Sequence, residues 1–136
     1  MKLSKENRAY FIKEIAFSSK EIRAVQAPID KLYFFSAVFG AANRIINMEF
    51  DPELSFIHNV TNAAYTQIQA SLFTQGQMPN SIDPDLFTKL ANNLDEMAKN
   101  IADNEPTYKA LENISNLAYS TTGNGHYLVL RGKLIL

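Results

Sequence analysis

Hydrophobic positions recur at helical spacing through most of the chain and switch to a denser, strand-like pattern only at its end. Five helical segments are predicted, near residues 4–26, 28–50, 52–75, 84–103 and 106–120. In the first, Leu3, Tyr10 and Phe17 fall on one edge and Phe11, Ile15, Ile22 and Val25 on another. Lys5, Arg8, Lys13, Lys20 and Arg23 share the opposite face. Pro28 interrupts this helix and suits the first turn of the next, because the residue before a proline avoids the α region and a first-turn N–H has no partner to lose.

The second segment is apolar on nearly every side. Leu32, Phe35, Phe39, Ile46 and Phe50 lie on one arc, and Phe34, Val38 and Ile45 on another. The exception is a narrow line of Ser36, Gly40, Asn43 and Asn47. A helix of this kind is either central in its bundle or covered by a partner. The small line would let another helix approach closely, with amides bonding across the contact. Three readings stay open: an antiparallel self-association seam, the floor of a polar cavity, or the face that meets the third helix.

Asp51-Pro52-Glu53 and Asp83-Pro84-Asp85 are two helix starts built alike, with an acceptor at the N-cap, proline at the first position and an acid in the first turn. The third helix carries Leu54, Ile57, Thr61, Ala64, Tyr65, Ile68 and Leu72 inward, and Gly76 is its expected stop. The fourth has the cleanest stripe, Leu86, Phe87, Leu90, Leu94, Met97 and Ile101, with Asn92, Asp95, Glu96 and Lys99 outside. Tyr108, Leu111, Ile114, Leu117 and Ala118 form the apolar face of the fifth. Residues 126–136 are β-like, and Gly132-Lys133 fits a two-residue turn. A lone hairpin is marginal in water, so this tail must pack on the bundle or pair with another chain. The expected fold is therefore a single all-α domain over residues 1–136, a bundle of about five helices with a short C-terminal β-hairpin or strand, and its second helix central.

Composition narrows the chemistry. The 136 residues include no cysteine, which removes disulfides, thiolate nucleophiles and thiolate metal sites. No apolar run approaches the roughly 20 residues of a membrane span, and the first residues lack a signal-peptide h-region, so a cytoplasmic protein with no membrane association is expected. Net charge is −1 and the pI is about 6.1, which argues against nucleic acid as a partner. The charge is uneven all the same: residues 1–31 carry seven Lys/Arg against four acids. That basic face of the first helix is the only feature that would serve a nucleic-acid-associated subunit.

The five glycines match no phosphate-cradling loop, and the two histidines match no zinc or di-iron motif, so no cofactor, metal or catalytic residue is assigned. Ligand-binding candidates are Arg44, the sole basic residue between Lys31 and Lys89, with His58, Tyr65, Phe35 and Phe39. They would form an aromatic cavity with Arg44 anchoring an anionic group. Glu14 and Glu21 fall between the two apolar edges of the first helix. A buried carboxylate needs a partner, so with Asn43 and Asn47 they are candidates for a polar seam. The leading expectation is a non-enzymatic interaction module that self-associates as a homodimer and has room for a protein partner. A small-molecule-binding bundle is the alternative, and the nucleic-acid subunit the third reading.

Overall fold

A computed structural model describes residues 1–75 and 85–119, and these are helical with no strand among them. Five helices are described: α1 (Lys5–Ala24), α2 (Pro28–Ile46), α3 (Pro52–Gln75), α4 (Leu86–Ala102) and α5 (Tyr108–Tyr119). The expected stop at Gly76, the start at Asp83-Pro84 and the β-like tail lie outside the described residues.

The helices form a closed ring in the order α1, α2, α3, α5, α4 and back to α1. Short corners make α1/α2, α2/α3 and α4/α5 antiparallel, and Ser19 bonding Asp95 while Arg8 bonds the Ile101 carbonyl makes α1/α4 antiparallel too. A ring with an odd number of staves cannot alternate throughout. The parallel pair is α3/α5, whose first turns meet where Glu53 accepts from Thr107.

Each helix contributes one stripe to the common core. Phe11, Ile15 and Ile22 meet Leu32, Phe35, Val38 and Ile45, then Leu54, Ile57, Ala64 and Ile68, with Leu90, Leu94, Met97, Leu111 and Ile114 closing the far side. Burying one such side chain is worth about 1.5–3 kcal/mol. Among the described residues α2 is not central: it has α1 and α3 as flanking neighbours, like any stave, and touches α4 only across the interior. With 20-odd core residues shared among five helices, each can turn only one face inward.

One end of the ring is fastened by carboxylates from the α2–α3 corner. Asp51, almost fully buried, caps α3 through the Leu54 N–H at 2.9 Å and also accepts the Lys2 N–H at 2.7 Å. Glu49 accepts the Ser4 N–H at 2.7 Å. Glu53 accepts from the backbone and hydroxyl of Thr107 at 2.9 and 2.7 Å and pairs with the Met1 ammonium at 3.3 Å. Arg8 clasps the same end, donating to the carbonyls of Ile101 and Met1 at 2.8 and 2.7 Å. The α4–α5 corner turns on Asn104 at φ 58°, where the Asn104 and Glu105 N–H groups bond back to Ile101 and Asn100. This is a Schellman closure with asparagine in the left-handed position glycine usually takes.

Two boundaries depart from the sequence pattern. Helix α2 stops at Ile46, not near 50, because the Met48 and Glu49 N–H groups both turn back to the Ile45 carbonyl. Phe50 therefore leaves the buried arc it was expected to share with Leu32 and Phe35 and stands 72% exposed. Helix α5 starts at Tyr108 because Thr107 is drawn to Glu53 as its first-turn anchor.

Candidate functional site

The five ligand-binding candidates separate into three places. Phe35 is fully buried in the common core. Phe39, His58 and Tyr65 come together on the outer rim of the α2–α3 groove, with Phe39 edge-on to both: its ring centroid is 6.3 Å from His58 and 5.2 Å from Tyr65. Arg44 lies on the other side of α2. Its Nε donates to the Tyr10 hydroxyl at 2.6 Å and its guanidinium sits over the Tyr10 ring, 5.7 Å from the centroid. Residues 39 and 44 differ by about 140° around a helix, so α2 itself stands between the cation and the aromatic rim.

The rim is held by neutral neighbours. His58 Nδ1 lies 3.1 Å from Asn59 Oδ1, and Gln69 donates to the Tyr65 hydroxyl at 3.3 Å. Burial, with a smaller contribution from Tyr33, holds the Tyr65 hydroxyl above its usual pKa of 10.0, so it stays neutral. No carboxylate orients His58 as a base toward a nucleophile among these residues, and a base without an orienting partner is half of a catalytic pair. Among the described residues no group of three His, Asp or Glu side chains is placed to hold a metal ion.

The four polar-seam candidates follow two separate lines. Glu14 and Glu21 are half-buried on the edge of α1 that faces α2, in line with Ser18, which is fully buried and donates to the Phe34 carbonyl at 2.8 Å. Asn43 and Asn47 are exposed on the outside of α2. Ser36 and Gly40 of the same line are half-buried.

Among the described residues the exposed large hydrophobic ones are Phe17, Tyr33, Met48 and Phe50, at 47, 49, 66 and 72%. Tyr33 is on α2, Met48 and Phe50 are at its C-terminal corner, and Phe17 packs edge-on against Phe34 of α2, centroids 5.9 Å apart. Sequence reasoning overlooked Tyr33 and misplaced Phe50. For Tyr33 the signal is spacing, three residues before Ser36; Phe50 lies past the end of α2, where helical spacing carries no signal.

The basic face expected on α1 is partly dispersed. Arg8 turns to the C-terminus of α4, and Arg23 bonds Asn92 and Asp95 at 2.8 and 2.7 Å. No helix among the described residues is long and apolar enough to cross a membrane. No family model matches the chain, and no curated protein or solved structure is detectably similar to it.

Proposed function

We propose that the protein is a non-enzymatic interaction module that self-associates as a homodimer through the outer side of α2. The observation that carries this reading is the position of α2. Its sequence is apolar on almost every side, and among the described residues the exposed Tyr33 stands on it, with Met48 and Phe50 exposed at the corner that follows it. Exposed aromatic side chains beside a helix of this composition support cover by a partner. Aromatic anchors are the residues that typically dominate association energy. The scattered ligand candidates and the neutral partners of His58 leave binding chemistry with weaker support.

Sedimentation velocity over a wide concentration range tests the proposal. A monomer–dimer equilibrium is expected, weakened at least tenfold by Tyr33→Ala or Phe50→Ala with the helical spectrum unchanged. A protein that stays monomeric and cooperatively folded at high concentration would overturn it.

A further inference from the structure

The face shared by α1 and α2 carries charge of both signs, set apart along its length. Arg44 is at one end and is fixed twice by Tyr10, through the Nε hydrogen bond at 2.6 Å and the ring beneath its guanidinium at 5.7 Å. Both Nη groups are left over, and among the described residues no carboxylate pairs with them. The acids that follow in sequence are engaged by backbone N–H groups: Glu49 by Ser4, Asp51 by Lys2 and Leu54, and Glu53 by Thr107. Arg44 is thus an exposed cation whose side chain is already ordered. In that form a guanidinium loses least on taking a carboxylate.

Glu14 and Glu21 are the opposite case. Both are half-buried on the flank of α1 that faces α2, and among the described residues neither side chain has a hydrogen bond or ion pair. No lysine or arginine stands three or four residues from either, where a helix supplies its own partners. Lys31, at the start of α2, gives its Nζ to the Ile22 carbonyl at 2.6 Å. A carboxylate partly withdrawn from water and left unpaired is unfavourable. Glu14 is one turn from Tyr10, on Arg44's side of the face. Glu21 is eleven residues from Tyr10, about 16 Å along α1, beyond the reach of Arg44 in its own chain. Exposed rings lie with these charges: Phe17, between Tyr10 and Glu21 and edge-on to Phe34, and Tyr33, next to Phe34 on α2.

We infer that a second copy of this chain docks on the α1–α2 face about a two-fold axis, with Arg44 of each copy meeting Glu21 of the partner subunit. The occupant follows from the charges. A partner of one sign, basic or acidic, would satisfy one end of the face and oppose the other. A second copy brings the missing sign to both ends at once, and the two-fold makes the pair occur twice.

The axis then passes over the middle of the face, close to Phe17, and the rings of Phe17 and Tyr33 are covered between the two charge pairs. Aromatic cover of this kind keeps water from neighbouring charges, which makes each pair worth more than on an open surface. Lys13 and Lys20 edge the face and are exposed, so they stay in water. A net charge of −1 on each copy adds little repulsion.

This pairing rests on the self-association proposed above, and the experiment tells their failures apart. Dimer dissociation of the full chain is measured by sedimentation for the parent, Arg44→Glu, Glu21→Arg and the two changes combined. Each pair occurs twice and reversal turns attraction into repulsion, so each single change should weaken the dimer about tenfold. The combined change restores opposite signs and should bring the dimer back to within about threefold of the parent. A combined loss equal to the product of the single losses would overturn the pairing and leave self-association standing. Single changes without effect would overturn the α1–α2 face as the contact. Recovery with Glu14→Arg in place of Glu21→Arg would overturn this register. A parent protein that is monomeric throughout would overturn both proposals. A second readout does not depend on charge: the cysteine-free chain is given Arg44→Cys and Glu21→Cys together, oxidised where the parent sediments as a dimer, and digested with trypsin. Cleavage at Lys20, Arg23, Lys31 and Lys89 leaves the two cysteines on peptides 21–23 and 32–89. Within one chain the two positions are about 16 Å apart, beyond disulfide reach. The expected product is a covalent dimer in which these two peptides are joined, and a dimer that yields no such link would overturn the pairing.

Discussion

Helix α4 turns Leu86, Leu90, Leu94, Met97 and Ile101 into the ring and sets Lys89, Asn92, Asp95, Glu96 and Lys99 in water. Helix α2 also turns one stripe inward, Leu32, Phe35, Val38, Ala42 and Ile45, but its outer side carries Tyr33, Ser36, Gly40, Asn43 and Asn47, with a charge only at Arg44 over that length. The inward halves of the two helices are alike because the ring imposes the same requirement on every stave. The outward halves differ in charge: α4 presents long charged side chains, α2 small and amide ones beside the exposed ring of Tyr33. A long charged side chain loses little by facing solvent and much by being covered, which is why the proposed contact is put on α2 and not on α4.

Truncation of core residues gives the largest test of this contrast. Phe35→Ala is expected to cost about 3–5 kcal/mol and Leu94→Ala about 2–5 kcal/mol in urea unfolding. At concentrations low enough for the protomer to be monomeric, Phe50→Ala should stay within about 0.5 kcal/mol of the parent, as Lys99→Ala should. The two exposed substitutions then part company on self-association, which only Phe50→Ala weakens. If Phe50→Ala destabilised the dilute protomer as much as Phe35→Ala, the outer side of α2 would belong to the protomer's own core.

The corner that ends α2 is the next place to test. Asp51 closes α3 and ties down the first residues of the chain with two backbone N–H groups, where α4 opens on Asp85 without a side-chain cap. Losing an N-cap costs about 0.5–2 kcal/mol, and burial of Asp51 puts it toward the upper part of that range. Asp51→Ala, followed by thermal unfolding, should therefore cost about 1–2 kcal/mol. No loss of stability would mean that the Met48–Phe50 corner is held without Asp51.

The attachments of α2 and α4 to α1 give a smaller effect. Ser18 and Lys31 fix α2 through the backbone carbonyls of Phe34 and Ile22, at 2.8 and 2.6 Å. Asp95 fixes α4 by accepting from Ser19 at 2.6 Å and from Arg23 at 2.7 Å, across a half-exposed pair. Exposed ion pairs are worth about 0.2–1 kcal/mol and are screened by salt. Arg23→Ala should cost that much at low ionic strength and less at 1 M salt, while Ser18→Ala should cost about 1 kcal/mol at both.

How far the sequence carries depends on what each signal reports. Helical period reports which side of a segment is dry, so the stripe of α4 and the inward residues of α3 are legible directly, as is Asp51 in its capping role. The same period in α2 reports only that more than one side is dry. It cannot distinguish a central helix from a covered stave, because that depends on which helices surround it. Arg44 and Phe39 illustrate a second limit. Five residues apart, they look like neighbours in a list of candidates, yet they lie on opposite flanks of one helix. The ties of Glu49, Asp51 and Glu53 to Ser4, Lys2 and Thr107 join residues more than 40 positions apart, and no local pattern encodes them.

The subtlest difference between the two sides of the molecule is in alkaline solution. Tyr65, on the α2–α3 rim, has a pKa above 10.0 because burial disfavours the phenolate and Tyr33 adds to the effect. An acid whose pKa is higher in the folded state binds more protons folded than unfolded as pH passes 10, so its contribution to stability is whole below pH 10 and declines above it. Tyr108 of α5 is raised in the same way, by burial and then by Glu53 and Asp51, so Tyr65 supplies only the α2–α3 share of the alkaline dependence. Denaturant midpoints taken from pH 8 to pH 11 should fall less steeply for Tyr65→Phe than for the parent, with the curves drawing apart only above pH 10. The proposed self-association sharpens the measurement, because a partner covering the rim would remove more water from Tyr65 and push its ionisation higher still. The alkaline difference should therefore be larger at concentrations where the dimer forms than at high dilution. A difference independent of concentration would place Tyr65 outside the covered surface and confine the interface to α2 and its α1 side.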